Sequence, residues 1–248
     1  MHAIMLAAGQ GTRLSRGSSD FPPKSLLQFA GKSLLRRHVD ALQAFGVERL
    51  TLVIGYRADD IHAELAAIAA DGWIETIFNT RYREGAVVSL WTSRHILSAG
   101  ADILFMDADV LYDPNVIGRL INSRHRNCFL IDRDLEPGEE LVKICLRGGR
   151  IVEFGKIVEG DFEVVGEWPG FLRLDPEMAA KLAAATETYV AFGRHAESYE
   201  PAIRDILLGE LPDRFGLEDI TGLPWVEIDT PEDLQRARDV LLPALGGR

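Results

Sequence analysis

The sequence has no long hydrophobic run and no basic stretch at its start. No apolar segment approaches the roughly 18 residues that cross a membrane, and the first residues lack the charge that opens a signal peptide. We therefore expect no membrane span and a cytoplasmic location. Cysteine is also scarce: Cys128 and Cys145 lie in apolar runs without metal-ligand spacing, so two buried thiols are a better interpretation than a disulfide.

Basic residues are also outnumbered by acidic residues. Among the 248 residues, 38 are Asp or Glu and 27 are Lys or Arg, which gives a net charge of −11. A broad nucleic-acid or anionic-membrane surface is therefore disfavoured, and any phosphate site must be a local concentration of basic side chains. Repeats, linkers and low-complexity segments are also missing from the sequence, so we predict a single domain over residues 1–248.

An apolar run that ends in a glycine-containing loop stands near the amino terminus. Residues 6–14 read Leu-Ala-Ala-Gly-Gln-Gly-Thr-Arg-Leu, and Lys24 follows two prolines. The glycines expose backbone N–H donors and Arg13 and Lys24 add positive charge, so the stretch is predicted to contact a phosphate chain. It matches neither a P-loop nor the dinucleotide fingerprint, which needs a glycine where Leu14 stands. Ordinary roles stay open: a turn for the glycines, a solvated residue for Lys24 and a surface ion pair for Arg13.

Short apolar strands alternate with amphipathic helices over most of the chain. Strands are predicted at residues 3–8, 50–54, 73–78, 102–106 and 225–228, and helices at 33–45, 58–70, 86–97, 198–208 and after the caps Asp113, Asp175 and Thr230. This alternation predicts a mixed, mostly parallel sheet flanked by helices. Such sheets bind ligands beyond the carboxyl ends of their strands.

The pattern changes after residue 126. Strand-like runs occupy residues 128–132, 141–146, 151–154 and 166–174, and Gly148-Gly149 supplies a hairpin turn. We predict that about 127–174 is a β-rich insert of antiparallel strands lying beside the parallel sheet, where an acceptor would be held.

Carboxylates follow two of the predicted strands. Asp107-Ala108-Asp109 follows the strand at 102–106, and Asp229 lies between the strand at 225–228 and the Thr230 cap. Carboxylates at the carboxyl end of a buried strand point into the crevice where a nucleotide would lie, and their oxygens suit Mg²⁺. A solvated turn is the competing interpretation for both motifs. His38, His62 and His125 share no metal-ligand spacing and are expected to be solvated or in the core.

The N-terminal motif, the Asp-x-Asp strand and the closing Ile-Asp-Thr-Pro-Glu-Asp at 228–233 together resemble a known family. They are similar to the signature of nucleotidyltransferases that make NDP-sugars, CDP-alcohols and related activated compounds, most of all the phosphocholine, phosphonate and inositol-phosphate cytidylyltransferases. The resemblance covers nearly the whole chain. It implies a Rossmann-like nucleotide-diphospho-sugar transferase fold and Mg²⁺-dependent transfer of a nucleotidyl group from an NTP, with release of pyrophosphate.

The resemblance also implies roles for individual residues. Lys24 would contact the α-phosphate and Arg13 the β- and γ-phosphates. Asp109 and Asp229 would hold Mg²⁺, and Arg13, Lys24 and Asp109 would form the catalytic set. The nucleotide site is expected to comprise Leu6, Ala7, Ala8, Gly9, Gly11, Thr12, Arg13, Lys24, Ser89 and Asp107. The long loop at 13–23 is predicted to be a moving lid.

Two further segments bear on the base and the acceptor. Residues 79–91 stand where the family reads the base, and Ser89 is retained there, although the two asparagines typical of phosphocholine enzymes are replaced within Ala86-Val87-Val88. An ordinary helix-start role for Ser89 competes. The acceptor is expected to meet Lys143, Lys156, Glu167 and Trp168 in the insert. The lysines would clamp its phosphate and Trp168 would stack on a cationic head; alternatively, the lysines edge a sheet and Trp168 is core.

The leading hypothesis is therefore a cytidylyltransferase whose partners are CTP, or another NTP, and a small phosphate or phosphonate acceptor. Neither nucleic acid nor a membrane is expected as a partner, and a homodimer is left open. One alternative is a sugar-1-phosphate nucleotidyltransferase using UTP, GTP or dTTP. Another is a non-catalytic nucleotide-binding regulatory protein, against which the presence of Arg13, Lys24, Asp109 and Asp229 argues.

Overall fold

The computed structural model describes residues 1–16, 18, 20–68, 72–135 and 141–246. Its strands are β1 (His2–Ala7), β2 (Gln28–Phe29), β3 (Lys32–Ser33), β4 (Arg49–Ile54), β5 (Ile74–Phe78), β6 (Ile103–Asp107), β7 (Val110–Tyr112), β8 (Cys128–Ile131), β9 (Lys143–Arg147), β10 (Arg150–Gly155), β11 (Val164–Glu167), β12 (Phe171–Leu174), β13 (Gly216–Asp219) and β14 (Trp225–Glu227). Its helices are α1 (Thr12–Ser15), α2 (Leu34–Ala44), α3 (Ala58–Ile68), α4 (Ala86–Thr92), α5 (Arg94–Leu97), α6 (Pro114–Ile121), α7 (Pro176–Ala191), α8 (Glu200–Gly209), α9 (Pro231–Arg236) and α10 (Leu242–Gly246), with a 3-10 turn at Lys24–Leu26 and a π-helical turn at Ala237–Leu241. Within these described ranges, no helix has the length and apolar character needed to cross a membrane.

A seven-stranded sheet in the order β13-β8-β12-β6-β1-β4-β5 forms the centre of the fold. Only β12 runs antiparallel to its neighbours β6 and β8; the other adjacent pairs are parallel. The prediction of a mixed, mostly parallel sheet is therefore confirmed. Smaller sheets are formed by β10-β9-β11, β14-β7 and β2-β3.

Alternate residues of the central strands face two separate layers of apolar side chains. In β1, Ile4 packs with α4, α7 and α8 on one face of the sheet, whereas Ala3 and Met5 pack with α2, α3 and α6 on the other. Because helices cover both faces, the strand interiors are continuously apolar. The carboxyl ends of the strands are left as the place for polar side chains.

The predicted helix starts are present. Asp113 accepts a hydrogen bond from the backbone N–H of Asn115, and Asp175 accepts one from Met178. Thr230 and Asp233 form a reciprocal capping box at the start of α9. These local signals work because each cap pairs a backbone donor that the first helical turn leaves without a partner.

Two predicted elements are divided in the structure, and a third is described only in part. The helix expected at 86–97 is divided at Ser93, whose hydroxyl donates to the carbonyl of Leu90 at 2.7 Å and so competes with the helical ladder. The strand expected at 166–174 is divided into β11 and β12, which belong to different sheets because the chain turns at Gly170, with a φ of 84°. The helix expected at 58–70 is described as far as Ile68, and its last two residues lie outside the described part of the chain.

The β-rich segment is shared between two sheets. Strands β8 and β12 belong to the central sheet, while β9, β10 and β11 form the three-stranded sheet. The predicted hairpin turn is present between β9 and β10, where Gly148 and Gly149 both have positive φ. The segment is thus only in part a separate layer beside the main sheet.

His38 of α2 is a buried, neutral side chain. Its Nε2 lies 3.3 Å from the carbonyl of Ala108, which can only accept, so Nε2 carries the proton and Nδ1 accepts from the Tyr112 hydroxyl at 3.1 Å. Burial lowers the pKa of His38 from its ordinary 6.5 to about 4, against the opposing effect of the Ala108 carbonyl. His38 is therefore a core histidine.

We expect the replacement of His38 by glutamine to weaken the pH dependence of unfolding. The unfolded chain protonates this histidine near pH 6.5 and the native protein only near pH 4, so its contribution to stability is complete above pH 6.5 and is lost as the pH falls toward 4. The loss amounts to about 3 kcal/mol over that window. Urea unfolding near neutral pH and near pH 5 measures the free energy of unfolding.

The exposed His95 supplies the control, because His95→Gln should keep the pH dependence of the native protein. A His38→Gln protein that lost as much stability between the two pH values as the native protein would contradict the expectation.

Candidate active site

The loop after β1 packs closely against the side chain of Lys24. Gly11 has a φ of 59°, in the left-handed region that favours glycine, and a Cβ at this position would lie 3.2 Å from the Cγ of Lys24. The 3-10 turn that begins at Lys24 therefore lies directly against the glycine loop. Gly17 and Ser19 of the 13–23 loop are outside the described residues, and a lid motion of that loop stays a prediction.

A cavity of about 510 Å³ opens beyond the carboxyl ends of β1 and β6. Its lining contains most of the residues that the sequence assigns to the nucleotide: Leu6, Ala8, Gly9, Gly11, Thr12, Arg13, Lys24, Ser89 and Asp107. Ala7 lines a smaller adjoining cavity of about 90 Å³. The structure thus brings the predicted nucleotide residues to one place.

The basic side chains of the loop are paired with the strand-end carboxylates. The Nζ of Lys24 lies 2.8 Å from Asp109 Oδ2 and also donates to Asp229 Oδ1. A guanidinium nitrogen of Arg13 lies 2.9 Å from Asp229 Oδ2. The four residues that the sequence singled out as catalytic or metal-binding therefore form one network of charges.

The charges in this network shift one another's ionisation. Burial by itself lowers the pKa of Lys24, but the charges of Asp109 and Asp229 outweigh it and raise that pKa above its ordinary value. Burial likewise acts to raise the pKa of Asp229, but the charges and hydrogen bonds of Lys24, together with Arg13, lower it overall. The network therefore favours the charged forms of both groups.

Two further carboxyl groups, those of Asp107 and Glu227, are buried close to other negative charges. Burial, followed by the charge of Asp109, raises the pKa of Asp107 well above its usual range, and the Tyr199 hydroxyl donates to Asp107 Oδ2. Burial and the charges of Asp109 and Asp229 raise the pKa of Glu227 in the same way. A bound cation would relieve this concentration of charge.

Three of these carboxylates have the geometry of a metal centre. Oxygens of Asp109, Glu227 and Asp229 all lie within 4.8 Å of one another. Hard carboxylate oxygens at this spacing fit a divalent cation such as Mg²⁺, which usually takes a few protein oxygens and leaves positions for phosphate and water. The donor set is therefore suited to the metal that the sequence led us to expect.

Glu227 was missed in the sequence, although a signal was available. It stands two residues before Asp229, as Asp107 stands two residues before Asp109. The antiparallel pairing of β14 with β7 places Glu227 opposite Val110, and the N–H of Ile228 donates to the Asp109 carbonyl. This register brings the second pair of carboxylates beside the first.

The far wall of the cavity consists of two segments joined by backbone contacts. Tyr82, Arg83, Glu84, Gly85 and Ala86 line it from one segment, and Ser198, Tyr199 and Glu200 from the other. The N–H groups of Gly85 and Val87 donate to the carbonyls of His195 and Glu197. A Cβ at Gly85 would lie only 2.1 Å from the Glu197 carbonyl oxygen, so the close approach requires glycine. The sequence predicted residues 198–200 only as the start of a helix and not as part of the site.

Ser89 lines the cavity from α4 and is held by a second buried side chain. The Nδ2 of Asn79 donates to Ser89 Oγ at 3.0 Å, and the Asn79 Oδ1 accepts from the N–H of Arg81. The hydroxyl of Ser89 accepts this bond, which leaves its own proton available as a donor. Asn79 was not among the residues singled out in the sequence.

The residues expected to bind the acceptor do not lie together in the structure. Lys156 lines the cavity, with its Nζ 3.8 Å from Glu200 Oε1. Lys143 and Glu167 are paired in the register of β9 and β11, outside the residues that line the cavity, and the Lys143 Nζ donates to the Lys156 carbonyl.

The expectation for Trp168 is corrected. Its side chain is 2% exposed, its ring packs among Phe105, Phe154 and Tyr199, and its Nε1 donates to the Phe171 carbonyl at 2.7 Å. A ring enclosed by aromatic neighbours has no face left for a cationic head group, so the core role is the one that the structure supports.

Curated relatives match most of this chain in sequence. The chain is 28% identical over 247 residues to the bifunctional IPC transferase and DIPP synthase of Rubrobacter xylanophilus, over 97% of this chain and 52% of the relative. It is 23% identical over 202 residues to the CTP:phosphoglutamine cytidylyltransferase of Campylobacter jejuni, over 75% of this chain and 78% of the relative. The chain spans about half the length of the bifunctional relatives that it matches.

The fold is shared with a solved enzyme structure. The inositol-1-phosphate CTP transferase from T. maritima superposes with a TM-score of 0.78 at 20% sequence identity, over 99% of this chain and 94% of the other. A family model described as the MobA-like NTP transferase domain matches residues 3–149, more than half of the chain. The chain belongs to the MobA-like NTP transferase family.

Proposed function

We propose that this protein is a Mg²⁺-dependent cytidylyltransferase that transfers CMP from CTP to a small phosphorylated or phosphonate-bearing acceptor. The observation that carries the proposal is the shared cavity, in which the glycine loop with Arg13 and Lys24 faces the carboxylates of Asp109, Glu227 and Asp229. Two relatives with CTP in their names support the choice of nucleotide. The β-rich segment would contribute to the acceptor side within a single nucleotidyltransferase domain.

The reaction requires one displacement at phosphorus. A phosphate or phosphonate oxygen of the acceptor forms a bond to the α-phosphorus, while the bond from that phosphorus to the oxygen bridging to the β-phosphate breaks. Pyrophosphate leaves with the electron pair of that bond. The attacking oxygen is already anionic, so the protein supplies position and charge rather than a nucleophile or a base.

Arg13 and Lys24 would exchange partners when the nucleotide binds. In the free protein they neutralise Asp109 and Asp229. The phosphate chain offers the same two side chains anionic oxygens of higher charge, with Lys24 toward the α-phosphate and Arg13 toward the β- and γ-phosphates. A divalent cation on the three carboxylates would supply further positive charge to the α-phosphate and the leaving group.

The base would lie between the β1 loop and Ser89. The glycine loop offers backbone groups along one edge of the cavity, and the Ser89 hydroxyl can donate to a pyrimidine carbonyl because Asn79 occupies one of its acceptor positions. A hydroxyl at this position is compatible with cytosine, and the names of the relatives favour CTP over UTP.

Release of pyrophosphate tests the proposal directly. CTP, UTP, GTP and dTTP are each combined with Mg²⁺ and with phosphocholine, 2-aminoethylphosphonate, inositol phosphate or glucose-1-phosphate. We expect release with CTP and a non-sugar acceptor only. Release with glucose-1-phosphate and another NTP would instead identify a sugar-1-phosphate nucleotidyltransferase. No release, combined with nucleotide affinity that Asp109→Ala leaves unchanged in Mg²⁺, would identify a non-catalytic nucleotide-binding protein.

A further inference from the structure

One carboxylate in the cavity wall has no assigned task in the nucleotidyl transfer. Glu200, the first residue of α8, lines the cavity with a side chain that is 8% exposed. Its Oε1 lies 3.8 Å from the Nζ of Lys156, and its Oε2 is buried without a hydrogen-bond donor among the described residues. A buried carboxylate oxygen without a donor lowers the stability of the folded protein, so it is a place where a ligand can add a hydrogen bond.

Lys156 connects this carboxylate to the reacting end of the cavity. Its ammonium is paired with Glu200 on one side, and its positive charge also acts on Asp229, one of the candidate metal ligands. An acceptor phosphate or phosphonate beside Lys156 would thus lie near the candidate metal ligands. The rest of a short acceptor would then extend toward Glu200.

The chemistry of Glu200 selects among the possible acceptors. An ammonium group with N–H bonds supplies both the donor that Oε2 lacks and the opposite charge, and such charge-assisted bonds are the strongest available to a carboxylate. A quaternary ammonium has the charge but no N–H donor. A polyol such as inositol has donors but no charge. Cation–π binding is not offered by Trp168, whose ring is enclosed in the core.

We propose that the acceptor is a short aminoalkyl phosphonate or phosphate, with its anionic group beside Lys156 and its N–H-bearing ammonium group on the Glu200 carboxylate. The bound zwitterion would replace the internal pair of Lys156 and Glu200 with two pairs to the ligand. This assignment rests on the proposed function for its reaction, but the binding preference that it states does not require turnover.

Matched acceptors and one conservative variant test the assignment. With CTP and Mg²⁺, kcat/KM is measured for 2-aminoethylphosphonate, for ethylphosphonate, which lacks the amine, and for phosphoethanolamine, phosphocholine and inositol phosphate. We expect the amine to raise kcat/KM by about 10- to 100-fold over ethylphosphonate, chiefly through KM. In Glu200→Gln this ratio should fall toward one, while Glu187→Gln, an exposed position on α7, should keep it.

Binding distinguishes a failed inference from a failed function. Calorimetric titration of the protein with 2-aminoethylphosphonate and with ethylphosphonate is expected to show tighter binding of the amine, and Glu200→Gln is expected to remove the difference. Equal binding of the two ligands, or preference for inositol phosphate or phosphocholine, would overturn the assignment whether or not CMP is transferred. Tighter binding of the amine without transfer to any acceptor would sustain it and refute the proposed reaction. Titration of Glu200→Gln with CTP shows whether the cavity is still folded.

Discussion

Replacement of Lys24 by methionine is expected to lower kcat/KM for CMP transfer by about 10²- to 10³-fold, the usual effect of removing one group that stabilises developing charge. The same change is expected to strengthen the binding of a divalent cation when no nucleotide is present. The two effects have opposite signs because Lys24 pairs with different groups before and after the nucleotide binds. In the free protein it holds Asp109 and Asp229, and in the complex it would hold the α-phosphate.

The ion pairs of Lys24 are the reason why we expect the free protein to bind the metal weakly. The Lys24 side chain is only 15% exposed and its ammonium lies between two of the three candidate metal ligands. A cation entering this site must displace a buried ammonium from two carboxylates. This displacement costs free energy unless the ammonium can pair with the phosphate oxygens of a bound nucleotide instead. Methionine keeps most of the length of the side chain without its charge, so the carboxylates would be left to the metal.

Titration with Mn²⁺ followed by electron paramagnetic resonance measures the affinity for the metal separately from catalysis. Lys32→Met serves as the matched control, because Lys32 is an exposed side chain paired with Asp40 on the surface. Mn²⁺ affinity of Lys24→Met that equals or falls below that of the native protein would contradict the expected exchange, even if turnover were lost.

Replacement of Asp229 by asparagine is expected to have an effect of similar size, with the opposite consequence for the metal. Asp229 is the shared partner of Arg13 and Lys24 and one of the three clustered carboxylates. Asparagine keeps the shape but removes the charge, so we expect Mn²⁺ affinity to fall at least about 10-fold and kcat/KM by about 10²- to 10³-fold. Lys24 and Arg13 would also lose the carboxylate that orients them in the free protein.

Glu227→Gln tests the ligand that only the structure identified. If Glu227 belongs to the metal centre, this variant should also lose Mn²⁺ affinity. Asp213→Asn removes a carboxylate from an exposed ion pair with Arg150 and should change neither metal affinity nor turnover.

The Asp229 prediction has a clear contrary outcome. Unchanged Mn²⁺ binding in Asp229→Asn would exclude Asp229 as a ligand and would require another metal site for the proposed reaction.

The sequence predicted the features whose causes are local. The glycine loop, the strand-end carboxylates and the capped starts of α6, α7 and α9 depend on the residues within a few positions of each other. The parallel arrangement also followed from a local pattern, since alternating strands and helices of these lengths pack in few ways. For this reason most of the residues assigned to the nucleotide line one cavity in the structure, and Ala7 lines an adjoining one.

The sequence failed where burial or pairing depends on distant segments. The turn at Gly170 divides a continuous apolar run, and the exposure of Trp168 depends on Phe105, Phe154 and Tyr199, which are remote from it in the chain. No property of the local sequence distinguishes a tryptophan that faces a ligand from one that fills a core.

What the sequence by itself determined about this protein is the family, the sheet and the glycine loop after β1, because these are encoded in short motifs and periodicities. The tertiary structure alone decided that Glu227 joins Asp109 and Asp229, through the antiparallel register of β14 on β7. It also decided that Glu200 lies beside Lys156, through the packing of α8 against β10. Contacts between segments far apart in the chain depend on the packing of the whole molecule. Short motifs and periodicities of the sequence do not contain that information.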